Sequence, residues 1–141
     1  MEIQILDILK FRKLNTINLG LNENEVVNIL GKPEDKSKKS RHGITYKYDN
    51  IQFHFNDSKL TLIGIYFYND SDQILFSDKN PISINKETTV SKLTSLLDDF
   101  NIVWSIDKNL TYPEQAYVNA RIDIKFFFDN DLDKLEKIII E

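Results

Sequence analysis

Cysteine is absent from this 141-residue chain, so neither a disulfide framework nor thiolate chemistry is open to it. Glycine numbers only 4, too few for a phosphate-cradling loop, and neither G-x-G-x-x-G nor G-x-x-x-x-G-K-[ST] occurs. Histidine numbers 2, His42 and His54, and with no H-E-x-x-H spacing a zinc site is not expected. No G-x-S-x-G elbow presents a serine nucleophile. Asp129, Asp131 and Asp133 resemble the start of a calcium loop but lack the glycine and distal glutamate that complete one, so a charged hairpin turn is expected there. No apolar run approaches the roughly 20 residues that span a bilayer. The N-terminal MEIQILDILKFRK interrupts its apolar residues with Glu2 and Asp7 and has no small-residue cleavage site, which reads as mature protein and not as a signal peptide. Together these absences leave no catalytic residue, metal or cofactor to expect; membrane association is not expected, and a cytoplasmic location is.

What remains is a chain of one-domain size, residues 1–141, with 41% hydrophobic and 28% charged residues, enough to bury a core. The net charge of -4 argues against nucleic-acid binding, which needs clustered cations on phosphate. The cations are nonetheless uneven, for Lys32, Lys36, Lys38, Lys39 and Arg41 crowd one stretch. A solvated loop is the plain reading of that run, and an acidic partner is the other.

The clearest structural signal is Ile44 to Tyr68. Ile44, Tyr46 and Tyr48, then Ile51, Phe53 and Phe55, alternate with Thr45, Lys47, Gln52 and His54, the period of a sheet buried on one side. Asp49-Asn50 and Asn56 to Lys59 have turn composition. In the third strand the alternation slips near Thr61 and Leu62, as a bulge produces. Upstream, a short helix is expected within 2–11 and another of about nine residues after Asn22, with Val26, Val27, Ile29 and Leu30 as its buried stripe and Gly31 and Pro33 at its end. Residues 32–43 read as a loop. In the second half, Ile82 and Ile84 precede a helix with the stripe Val90, Leu93, Leu96 and Leu97. Strands follow at 102–104, around Tyr117-Val118, at 122–128 and at 135–140.

The halves superpose as a pattern. Ile17 and Leu19 match Ile82 and Ile84, and the helix stripe from Val26 matches the one from Val90. Ile51, Phe53 and Phe55 match Ile124, Phe126 and Phe128, and Leu60, Ile63 and Ile65 match Leu135, Ile138 and Ile140. The expectation is an α+β domain of two tandem helix-plus-antiparallel-meander units, about 15–69 and 80–141. They form one mainly antiparallel sheet with helices on one face. On the opposite face the alternation sets Leu62, Tyr66, Tyr68, Phe127 and Ile139 beside Lys47, Gln52, His54, Asp123 and Lys125. Aromatic anchors among charges compose recognition surfaces, although a helix or the connector Ile74-Leu75-Phe76 would hide them equally well.

Leu19-Gly20-x5-Val26-x3-Leu30-Gly31-x-Pro33, followed by Tyr48 to Phe55 and Leu60-x-Leu62-Ile63-x-Ile65, resembles a group of small bacterial proteins in which such a helix precedes such a hairpin. More distantly it is similar to the BamE/SmpA-like and β-lactamase-inhibitor-like tandem fold, which binds proteins on its sheet. Proteins of this appearance occur among immunity proteins of contact-dependent growth inhibition and other polymorphic toxin systems. The resemblance implies a non-enzymatic toxin inhibitor whose partner is a cognate protein toxin domain, bound by stoichiometric occlusion. A structural or regulatory module that homodimerises through the same face is the alternative. Unlike the outer-membrane lipoprotein members, the chain has no cysteine for a lipobox, and no signal peptide is expected from its N-terminal residues.

Overall fold

The computed structural model describes residues 3–77, 82–107, 115–121, 123–129 and 133–141. Its elements run α1 (Ile5–Phe11), β1 (Lys13–Leu14), β2 (Ile17–Asn18), α2 (Glu23–Leu30), β3 (Asp35–Lys36), β4 (Ile44–Tyr48), β5 (Ile51–Asn56) and β6 (Lys59–Tyr66). The second part continues with β7 (Gln73–Leu75), β8 (Ser83–Asn85), α3 (Val90–Asp99), β9 (Ser105–Asp107), β10 (Gln115–Arg121), β11 (Ile124–Asp129) and β12 (Lys134–Ile140). Eight strands form one antiparallel sheet in the order β3-β4-β5-β6-β12-β11-β10-β9, and β1-β2 and β7-β8 are separate hairpins. The fold is α+β.

Local chemistry sets the helix ends. The Asn22 side chain accepts from the Glu25 amide at 2.8 Å while Glu25 Oε1 accepts from the Asn22 amide at 3.2 Å, a reciprocal cap that satisfies two amides left over by α2. Thr89 Oγ1 accepts from the Lys92 amide at 3.1 Å and starts α3. Asp57 and Ser58, at φ 50° and 64°, make the two-residue turn between β5 and β6, a left-handed pair that matches strand twist.

Alternation puts Phe53, Phe55, Ile63, Ile65, Phe126, Phe128, Ile138 and Ile140 on the core side, where each is at most 1% exposed. They share one cluster with Ile5, Ile8 and Leu9 of α1, Val26 of α2, and Leu93, Leu96 and Leu97 of α3, so the helices cover this face. At about 25 cal/mol per Å² of apolar surface, this burial dominates the folding free energy.

The register of β5 on β6 recurs in β11 on β12. Ile51↔Ile65, Phe53↔Ile63 and Phe55↔Leu60 correspond to Ile124↔Ile140, Phe126↔Ile138 and Phe128↔Leu135, and each pair of strands shifts register before its last phenylalanine. In the middle, Ile63 faces Ile140 and Ile65 faces Ile138 about a central Gly64↔Ile139 pair, so the seam has local two-fold character. The helix match differs from the stripe expected. Leu60 donates to the Leu21 carbonyl just before the cap of α2, and Leu135 donates to the Thr88 carbonyl just before the cap of α3. Counted from the caps, Val26 therefore corresponds to Leu93 and not to Val90, and Ile17 to Ile84.

Three other expectations are corrected. Residues 32–43 include an edge strand, β3, whose Asp35 and Lys36 pair with Lys47 and Tyr46. Residues 102–104 are not a strand: Asn101 turns left-handed at φ 58°, and the Ile102 amide folds back onto the Leu97 carbonyl at 2.9 Å, so pairing begins only at Ser105. In α2 only Val26 is buried, and Ile29 is 46% exposed. Residue 122, expected in a strand, lies outside the described residues.

Candidate functional site

Because side chains alternate across a pleated sheet, the partners of the core rows define a second face. One row crosses it as Lys47, Gln52, Gly64, Ile139, Lys125 and Asn119, in continuous register over six strands. Flanking rows bring Thr45, His54 and Leu62 together on one side, and Tyr66, Lys137 and Phe127 on the other. Gln52, His54, Leu62, Tyr66, Lys125 and Phe127 are half-buried and Lys47 is exposed, in contrast to the dry opposite face. Ile74 and Phe76 of the connector do not lie on this face: both are buried in the core cluster with the helices, and Phe76 packs on Phe100 with ring centroids 5.0 Å apart.

The rings gather near the seam. Tyr66 and Tyr68 stack at 5.4 Å with planes 8° apart, and Tyr68 stays 59% exposed. Tyr66 lies over Gly64, its Cε2 2.7 Å from where a Cβ would stand. A side chain there would fill the space the ring occupies. Burial, and secondarily the neighbouring Tyr68, pushes the Tyr66 phenol above its usual range and keeps it a neutral hydrogen-bond donor. Next in the row, Lys137 Nζ sits 4.9 Å from the centre of the Phe127 ring. Beside the stack opens a shallow cleft of about 500 Å³ bordered by Tyr66, Tyr68, Lys86, Lys134 and Lys137. Two surface ion pairs frame it, Lys86–Asp70 at 2.8 Å and Lys134–Glu87 at 3.0 Å. Their shared hydrogen bond lowers the Asp70 carboxyl and raises the Lys86 ammonium.

The other expected site residues have structural ties. His54 Nε2 donates to the His42 carbonyl at 2.8 Å, and its Nδ1 lies 2.9 Å from the Thr45 hydroxyl, so both ring nitrogens are engaged. Asp123 is ion-paired with Arg12 at the end of α1. Lys125 meets Glu141 at 3.0 Å. Tyr66 and Tyr68 thus form one aromatic pair, Phe127 lies beyond Lys137 in the same row, Lys47, Gln52, His54 and Leu62 form the flank toward β4, and Asp123 belongs to the tether of α1.

Three members of the face, Gly64, Asn119 and Lys137, were not expected from the sequence. Gly64 matters through its missing side chain. Lys137 reaches the face because Glu136 is the extra residue of a bulge, which places Lys137 opposite Phe127. The three-residue spacing from Leu135 to Ile138, equal to that from Leu60 to Ile63, already carried this signal.

The arrangement offers ring surface, aliphatic lysine stems and neutral donors, a composition suited to contact with another macromolecule. Among the described residues no three His, Asp or Glu side chains converge as metal ligands. Asp133, of the acidic turn, spends its carboxylate on the Val90 amide at 3.2 Å, and Asp131 lies outside the described residues. No helix among them is long and apolar enough to cross a membrane. No family model, curated protein or solved structure matches this chain.

Proposed function

We propose that the chain is a non-enzymatic protein-binding module, an immunity protein that neutralises a cognate bacterial toxin domain in the cytoplasm by stoichiometric occlusion. The observation that carries the binding reading is the sheet face opposite the helices, with the exposed Tyr68 stacked on Tyr66 beside the Phe127–Lys137 pair. An exposed ring stacked on a half-buried one, on a rigid sheet and among half-buried polar groups, is a usual place for binding energy to concentrate. The toxin as partner comes from the resemblance of the helix and hairpin segments to immunity proteins. Occlusion needs no chemistry from this chain, only a surface held in shape, and the eight-stranded sheet supplies one.

The experiment is to mix the chain with the toxin domain encoded immediately upstream of its gene and measure complex mass and toxin activity together. A one-to-one complex with activity lost at molar equivalence is expected. No complex, together with a homodimer of the chain at micromolar concentration, would favour the dimer module and overturn the immunity reading.

A further inference from the structure

The run from Lys32 to Arg41 plays no part in the aromatic face, yet it is the most basic segment of an acidic chain. Five of the 18 Lys and Arg residues stand within it, against Glu34 and Asp35. Both acids point back to the backbone: Glu34 Oε1 accepts from the Asp49 amide at 2.8 Å, and Asp35 Oδ1 from the Lys36 amide at 2.9 Å. Lys32, Lys36, Lys38, Lys39 and Arg41 are exposed, and none makes an ion pair with a described carboxylate.

This segment is held at defined points. Backbone amides of Glu34 and Ser37 donate to the Lys47 and Thr45 carbonyls at 2.9 Å each, and Ser40 and Gly43 exchange two bonds of 3.0 Å. Gly43, at φ 103°, runs so close to Phe55 that any Cβ would strike its carbonyl oxygen. His54 then fixes the tip by its bond to the His42 carbonyl. Lys36 Nζ lies 4.7 Å from the centre of the Tyr46 ring and Arg41 Nε donates to His42 Nε2 at 3.2 Å, yet all five cations stay exposed along an edge whose backbone is fixed, and β3 is the outermost strand of the sheet, paired with β4. Single lysines on edge strands ordinarily prevent strand pairing. Five cations beside so few opposing charges do more: they favour an extended segment that brings the missing negative charge.

We propose that the β3 edge and its 37–42 tip form a docking site for an acidic, extended segment of a partner protein, laid along β3 with its carboxylates against Lys36, Lys38, Lys39 and Arg41. The site goes beyond the aromatic face and does not depend on it. The test uses an acetylated decapeptide alternating glutamate and valine, titrated into ¹⁵N-labelled protein. Amide shifts confined to 36–47 are expected. Lys38→Glu/Lys39→Glu should weaken binding about tenfold or more, the effect should shrink in high salt, and the charge-matched Lys10→Glu/Lys92→Glu should bind like wild type. The unperturbed remainder of each spectrum verifies folding. Equal weakening by both double variants, or no localised shifts, would reduce the run to a solvated edge. Tighter binding of an oligothymidylate of equal charge at the same amides would overturn the protein segment in favour of a polyphosphate. Loss of peptide binding in Tyr68→Ala would move the site to the aromatic face. An unaffected Tyr68→Ala with a failed edge would leave the aromatic-face reading untouched.

Discussion

The ring of Tyr66 lies across Gly64, so that a Cβ on that glycine would approach Tyr66 Cε2 to 2.7 Å and its hydroxyl to 3.0 Å. The atoms in the way are the far end of a side chain, not backbone, and the ring can swing aside. Gly64→Ala should therefore cost less than about 1 kcal/mol of stability. It should also break the Tyr66–Tyr68 stack, which near-ultraviolet circular dichroism would register as a changed tyrosine signal.

Truncating the exposed member of the stack separates recognition from folding. Tyr68→Ala should change stability by no more than about 0.5 kcal/mol in urea denaturation. With Tyr68 as an anchor of the proposed toxin complex, the same variant should weaken that complex by roughly 1 to 4 kcal/mol. A large stability loss would place the ring in the core.

Tyr46 joins α2 to the sheet, its hydroxyl donating to Glu23 Oε1 at 2.7 Å. Burial, then the hydrogen bond and charge of Glu23, raise its phenol from 10.0 to about 12. The folded form thus holds the proton more tightly than the unfolded one. This stabilisation is complete below pH 10 and is lost as pH climbs toward 12, on the order of 2 kcal/mol across the window. Tyr46→Phe should flatten that part of the stability-versus-pH curve measured by urea denaturation.

The start of α2 depends on the Asn22–Glu25 reciprocal cap. Asn22→Ala should destabilise the chain by about 1 kcal/mol, and Asn22→Asp should restore most of it. Equal thermal midpoints for all three proteins would show that the cap contributes nothing.

His54 spans β4 and the basic tip through the Thr45 hydroxyl and the His42 carbonyl. His54→Ala should raise amide hydrogen exchange across 40–45 while leaving β11 and β12 protected. Uniformly raised exchange would mean that His54 supports the whole sheet instead.

The strands from Ile44 to Tyr66 were legible because hydrophobic period, left-handed turn residues and one bulge all agreed, and α2 because its caps are written in Asn22, Glu25 and Gly31. β3 was not legible, since a two-residue polar edge has no period to read. Residues 102–104 misled for the opposite reason: three apolar side chains suggest a strand, but Asn101 turns the backbone toward α3. The rings of the candidate face followed from period alone. The ties of His54 to His42 and of Asp123 to Arg12 depend on tertiary approach between distant segments, which no local pattern encodes.

For the proposed function, the most direct measurement is calorimetric titration of a candidate toxin domain encoded upstream with wild-type chain, Tyr68→Ala and Phe127→Ala. The account predicts a one-to-one complex for the wild type and affinity reduced by about tenfold or more in each folded variant. Heat of binding that is absent for the wild type, or unchanged in both variants, would contradict the assignment of this face to the toxin.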